Sequence, residues 1–209
     1  MARACCQVCK RPDKVCICAF ISPVDNSVEI GILQHPDETQ RVKGSALLAQ
    51  LSLARCQTWI GEDFSEDAGL FKWLQDGEVF LLYPPQPEAS EAVSISPAEL
   101  KKQSQQAGWR QPLKILVIDS TWKKSYKMLQ LNPWLQGLKR LALTPDAPSR
   151  YHIRKQKSPG CLSTLEAIYS VLSQLEGDAK KFQPLLQAFD AMNRQQLAFR
   201  PMPTTPDAS

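Results

Sequence analysis

Four consecutive residues, Asp119-Ser120-Thr121-Trp122, hold the chemistry most easily read from this chain. They follow an apolar run from Leu113 to Ile118 and open a basic amphipathic stretch from Lys123 to Leu131. The run predicts a buried strand and the stretch a helix. Asp119 then lies at the carboxyl end of a strand, beside a helix start, where open α/β sheets bind ligands. A carboxylate there can take a proton from a substrate. Asp119 or Thr121 can equally serve as an ordinary N-cap.

A second constellation is Cys6-x2-Cys9-x6-Cys16-x-Cys18, four thiols within 13 residues. Zinc binds four sulfurs in a tetrahedron, and its structural sites keep no open position. Arg11-Pro12-Asp13 can turn the chain so that the second pair faces the first. So short a segment builds no core, so the metal would have to hold it folded. Five of the seven cysteines lie in the first 18 residues. A disulfide reading needs an oxidising compartment, and nothing directs the chain there. A redox-active pair is the other alternative. Cys5 reads as a spectator, and Cys56 and Cys161 as small packed residues.

The third is Ser158-Pro159-Gly160-Cys161-Leu162-Ser163-Thr164-Leu165-Glu166. Ser163 and Glu166 have capping-box spacing, which starts a helix near Thr164. Gly160 permits a tight turn before it. The amides and dipole of such a terminus attract an anion, whether a carboxylate or a phosphate. An ordinary helix start has the same spacing. Gln34-His35-Pro36-Asp37-Glu38 follows the first apolar run, and its His35 reads as a base, a ligand or a structural residue. With two histidines in the chain, a histidine-rich catalytic metal site is excluded. The glycine-rich phosphate-binding motifs and G-x-S-x-G do not occur, which argues against nicotinamide, P-loop and serine-hydrolase chemistry.

These residues need a scaffold. Val28 to Leu33, Cys56 to Ile60, Val79 to Tyr83, Leu113 to Ile118 and Leu138 to Leu143 read as strands. Ala46 to Leu53, Pro97 to Ala107, Lys123 to Leu131 and two apolar stripes after Leu162 and Phe182 read as helices. Alternation of this kind predicts an α/β fold, a mostly parallel sheet flanked by helices. Pro84-Pro85-Gln86-Pro87 is a rigid loop after a strand, and residues 200–209, with three prolines, read as a disordered tail. The expected organisation is a zinc module over 1–22, an α/β domain over 23–199 and the tail.

Of 209 residues, 43% are hydrophobic, and no run approaches a membrane span of about 18 apolar residues. The first ten residues lack a signal peptide's apolar stretch, so a soluble cytoplasmic protein is expected. Between Arg110 and Lys157 stand eleven bases and two acids, a net of +9, while the remainder carries −5. That asymmetry predicts a polyanion-binding face. Arg150-Tyr151-His152-Ile153-Arg154-Lys155 interleaves cations with rings, a pattern suited to phosphate contact and base stacking and also to a charged linker.

Taken together, the cysteine cluster, Leu33-Gln34-His35-Pro36-Asp37-Glu38, Leu82-Tyr83-Pro84, Asp119-Ser120-Thr121-Trp122 and Cys161-Leu162-Ser163-Thr164-Leu165-Glu166-Ala167 resemble, in order, the motifs of the DTW-domain family. The resemblance spans Cys6 to about Phe199. It implies a bacterial-type tRNA-uridine aminocarboxypropyltransferase with a SPOUT-like, knotted catalytic domain. Such an enzyme moves the 3-amino-3-carboxypropyl group of S-adenosylmethionine to uridine N3, for the short members at variable-loop position 47, leaving 5′-methylthioadenosine. On this reading Asp119 is the base. Leu33, Gln34, His35, Tyr83, Pro84, Thr121, Gly160, Cys161, Leu162, Ser163 and Thr164 surround the donor. Lys123, Lys124, Lys127, Arg150 and Arg154 contact tRNA phosphates, Cys6, Cys9, Cys16 and Cys18 hold structural zinc, and Trp122 stacks on a base or packs in the core. A monomer without obligate protein partners is expected. A knotted RNA methyltransferase and a non-catalytic zinc-containing RNA-binding protein are the competing readings.

Overall fold

Near-continuous apolar runs become strands buried on both faces, as a covered parallel sheet requires. The computed structural model describes residues 4–41, 43–84, 94–107, 111–143 and 162–199. Its strands are β1 (Glu29–Gln34), β2 (Cys56–Ile60), β3 (Glu78–Leu82), β4 (Ser94–Ile95), β5 (Leu113–Asp119) and β6 (Lys139–Leu141). They form one sheet in the order β2-β1-β5-β3-β6-β4, and every described pairing is parallel. The central strand β5 pairs Asp119 with Gln34 of β1, so both side chains leave the sheet's carboxyl rim on one face.

The helices are α1 (Pro36–Thr39), α2 (Ala46–Ser52), α3 (Ala68–Gln75), α4 (Pro97–Ala107), α5 (Trp122–Leu131), α6 (Thr164–Glu176) and α7 (Ala179–Ala198). Two apolar clusters separate them into layers. Ile30, Ile32, Phe80, Ile115 and Val117 pack under α2, α4, α6 and α7. Leu33, Leu81 and Leu116 pack with Leu70 and Trp73 of α3, Met128 and Leu129 of α5, and Leu135. Gly31 is needed for this contact, because a Cβ there would meet Trp73 Cη2 at 2.8 Å. Gly177 closes α6 in the left-handed region at φ 75°, and Asp178 caps α7 through the Lys181 amide.

The five expected strands and the expected helices all occur, with strand ends shifted by one or two residues and the last helix running from Ala179 to Ala198, beyond the expected apolar stripe. Strand β4 and helices α1 and α3 were not expected. Two residues make too short a pattern for β4, and α1 is a single turn started by Pro36 behind the His35 cap. Gly160 and Cys161, Arg150 and Arg154, Pro85 to Pro87 and the tail over 200–209 lie outside the described residues. Among the described residues no helix is long and apolar enough to cross a membrane.

Candidate functional site

The turn from β5 into α5 brings the motif residues to the carboxyl rim. Asp119 is 7% exposed. Its Oδ2 accepts a hydrogen bond from Gln34 Nε2 at 2.8 Å, and its Oδ1 accepts one from Thr164 Oγ1 at 2.6 Å. Its carbonyl accepts the His35 amide at 3.1 Å. The carboxylate therefore sits in a polar joint between β1, β5 and α6, with its plane set by two donors. It does not cap α5. Thr121 occupies the N-cap position, but its side chain makes no cap bond, and Thr164 is the hydroxyl that orients Asp119.

Helix α6 begins with the full capping box. Ser163 Oγ accepts the Glu166 amide at 3.3 Å, and Glu166 Oε2 accepts the Ser163 amide at 2.8 Å. The Leu165 amide donates to Ser45 Oγ at 3.4 Å. Three amides at this terminus thus have protein acceptors, and Leu162 is half-buried beside them.

His35 is structural in its bonding. Its Nδ1 accepts the Asp37 amide at 3.1 Å, so Nε2 carries the proton and donates to Glu62 Oε1 at 2.6 Å. Glu62, not singled out in the sequence, also takes Lys127 at 2.5 Å. Lys127 first and His35 second hold the Glu62 carboxyl below the ordinary glutamate range. Lys124 pairs with Asp37 and holds its carboxyl low as well. Lys139 faces Glu78 at 3.8 Å, and Lys114 and Arg140 are buried. Among the described residues of the basic stretch, acids from the other part of the chain fold against Lys124, Lys127 and Lys139 and weaken the solvent face they make. Among the described residues Lys123 has no ion pair, and it is exposed beside Trp122.

Trp122 is 53% exposed, so it is a surface side chain and not core. Its ring meets the Tyr83 ring edge-on at 6.0 Å. Ser125 Oγ donates to the Trp122 carbonyl, so the Tyr83 hydroxyl donates to Ser125 Oγ at 3.0 Å. Pro84, next in the chain, is exposed, while Leu33 is core and offers its backbone to both neighbouring strands.

Arg140 lies at the other side of Tyr83, its guanidinium 5.7 Å from the ring centre. It is 1% exposed, and among the described residues its Nε and Nη1 have no hydrogen-bond partner. The ring contributes about 0.5–2 kcal/mol to a cation. Removing an ion from water costs several kcal/mol. The ring alone does not offset that cost. The sequence gives Arg140 no mark of its own, because it follows Lys139 in a three-residue strand and reads there as one of two surface cations.

The cysteine lobe is built differently. Cys6 and Cys18 sulfurs are 3.6 Å apart, those of Cys9 and Cys16 3.7 Å, and all four lie within 4.8 Å of one another. Zinc–sulfur bonds of about 2.3 Å put the corners of a tetrahedron about 3.8 Å apart, so the residues fit the metal. Lys10 adopts a left-handed φ of 56° after Cys9 and closes the first knuckle, donating its amide to the Cys6 carbonyl. The Cys9 amide first, then that of Val8, holds the Cys6 thiol down to about 6. Burial, then the neighbouring sulfurs, pushes Cys18 up to about 12. Four thiols this crowded ionise together only around a cation. Cys5 stands outside the cluster, and burial pushes Cys56 up to about 12, as suits a packed residue. The lobe docks on α7: Arg11 donates to Gly44 O at 2.7 Å and to Met192 Sδ at 3.4 Å, and Gln195 donates to Cys16 O at 3.0 Å. Ile17 and Cys9 enter the larger apolar cluster.

S-adenosylmethionine, which the motifs imply, carries a sulfonium, a carboxylate and an adenosine. The rim offers a carboxylate, an orphaned guanidinium and a half-exposed indole, a donor set that fits all three.

A family model described as DTW domain matches residues 3–197. The chain is 33% identical over 199 residues to tRNA-uridine aminocarboxypropyltransferase 2 of Drosophila melanogaster, covering 92% of this chain and 74% of that protein. It is 33% identical over 198 residues to the protein of the same name from Mus musculus, covering 92% and 63%. The similarity to tRNA-uridine aminocarboxypropyltransferase A of Arabidopsis thaliana is 26% over 231 residues, covering 98% and 85%. These relatives are eukaryotic. No solved structure matches the chain.

Proposed function

This chain belongs to the DTW-domain family, and from that premise we propose that it is a tRNA-uridine aminocarboxypropyltransferase. The reading is carried by one arrangement: a carboxylate clamped between Gln34 and Thr164 at the sheet's carboxyl rim, one turn from an exposed tryptophan. S-adenosylmethionine supplies, when bound, an aminocarboxypropyl carbon open to in-line attack, with 5′-methylthioadenosine as the leaving group.

Asp119 receives the N3 proton of uridine as the N3–carbon bond forms and the carbon–sulfur bond breaks. A free aspartate, with pKa of about 3.9, is too weak a base to ionise an imide beforehand, so proton removal is concerted with attack. Gln34 and Thr164 keep the carboxylate in one orientation, which supplies the positioning that such a displacement needs. Trp122 forms a wall on which a base stacks. Lys123 contacts phosphate directly, and Lys124 and Lys127 do so by exchanging Asp37 and Glu62 for it, with Arg150 and Arg154 completing the contact. Thr121, Tyr83, Pro84 and the 160–164 segment line the donor. The zinc lobe fixes a surface beside α7 that grips tRNA, since four sulfurs leave the metal no open position.

The finer expectations belong to the same proposal: the bacterial-type short form, the variable-loop uridine as target, the knotted SPOUT-like topology, and a cytoplasmic monomer. The deciding experiment incubates the protein with undermodified tRNA and S-adenosylmethionine labelled in its aminobutyrate portion, then maps the modified nucleoside. Label on uridine N3 supports the reading. A methyl gain in its place would establish the methyltransferase alternative, and binding without transfer the non-catalytic one.

A further inference from the structure

Among the described residues two cations are buried on the α5 face of this sheet, and only one of them has hydrogen-bond partners. Lys114, 2% exposed, donates to the Trp73 carbonyl at 2.5 Å, lies 3.7 Å from Glu29 and stands over the Trp73 ring. Arg140 shares that face through the register Arg140–Leu81–Leu116, yet its Nε and Nη1 have no acceptor among the described residues. Its guanidinium reaches Tyr83, which lies beyond the end of β3, so the charge is carried towards the carboxyl rim. A buried donor left unpaired in the protein alone marks a place for an outside acceptor.

We propose that Arg140 receives the carboxylate of the aminobutyrate end of the donor, an inference that rests on the aminocarboxypropyl reading above. Three observations select this anion. At 1% exposure the guanidinium is closed to a polymer backbone, whose phosphates meet exposed lysines such as Lys123, so an anion that pairs with it has to be the small end of a small molecule. The helix terminus expected to take that carboxylate already spends the Ser163, Leu165 and Glu166 amides on protein acceptors. The charges also have the right order along the rim. Asp119 lies on the α6 face of β5 and Arg140 on the α5 face of β6, with β3 between them. A ligand crossing the rim meets a negative group at one end and a positive group at the other, which matches a sulfonium and a carboxylate on one short chain.

The test is calorimetric binding to the full-length protein, using S-adenosylmethionine and its decarboxylated analogue, which differ only in the carboxylate. The wild type binds the complete molecule at least about tenfold more tightly. Arg140→Met loses that preference and leaves the affinity for the analogue unchanged, while its unliganded melting temperature stays at or above the wild-type value, because no internal partner is orphaned. Arg140→Lys, which keeps the charge but not the planar donor set, falls between them and serves if the Met variant fails to fold. Equal wild-type affinity for both molecules, or a preference that survives Arg140→Met, would overturn this inference and leave the donor reading standing. A wild type that binds neither molecule would overturn both.

Discussion

The two ends of the sheet's α5 face treat a buried cation differently. At the amino end Lys114 is closed off by the Trp73 carbonyl, the Glu29 carboxylate and an indole. Near the carboxyl end Arg140 has a tyrosine ring and orphaned nitrogens. The first end has its cation paired inside the protein, and the second leaves two donors unpaired among the described residues. Parallel α/β sheets place binding at the carboxyl ends of their strands because the loops and helix starts converge there. In this chain the difference shows in the polar accounting of single residues.

The cysteine lobe extends the finished side of the comparison, since its four sulfurs are complete once metal is bound. Cys9→Ser with Cys16→Ser should remove about one zinc per chain and unfold the lobe. Structural zinc sites in small modules are worth on the order of 10 kcal/mol. Elemental analysis and thermal unfolding would check this, and a metal-free protein melting at the wild-type temperature would contradict it.

Asp119→Asn sharpens the contrast on the reactive side. Turnover should fall by about 10²- to 10⁴-fold, the usual contribution of a positioned base. Stability should change little, because Gln34 can turn its amide and accept where it now donates. Single-turnover rates with melting curves separate the two, and an unchanged rate would remove Asp119 from the chemistry.

Lys114→Met tests the amino end. It leaves the Trp73 carbonyl and Glu29 without their cation and should cost about 3 kcal/mol, the low end for breaking a buried pair, since Glu29 is partly exposed. Denaturant unfolding beside Arg140→Met should give opposite outcomes. Similar losses in both variants would erase the distinction between the ends.

The smallest effect concerns pH. Glu62 is held below its ordinary range by Lys127 and His35. Its stabilising contribution is therefore full above the ordinary glutamate pKa and disappears as pH falls through the lower folded value. The melting-temperature gap between the wild type and Glu62→Gln should be largest at neutral pH and close on acidification below about pH 4.3. A gap that does not change with pH would mean that the Lys127 and His35 contacts are not held in solution.

Much of this molecule could be read locally. The strand cores, the helix start at Thr164, the capping box of Ser163 and Glu166 and the cluster of four cysteines follow from periodicities and short spacings, which act within one element or one turn. The six bonds and pairs that shape the rim do not. Gln34 and Asp119 are 85 residues apart, Asp119 and Thr164 45, Lys124 and Asp37 87, Lys127 and Glu62 65. His35 meets Glu62 and Tyr83 faces Arg140 by the same crossing of strands. Residue types placed an acid, an indole and a set of cations in the chain. The strand order β2-β1-β5-β3-β6-β4 decided which of those charges found partners, because a charge is neutralised by what lies within a few ångströms and not by its neighbours in sequence.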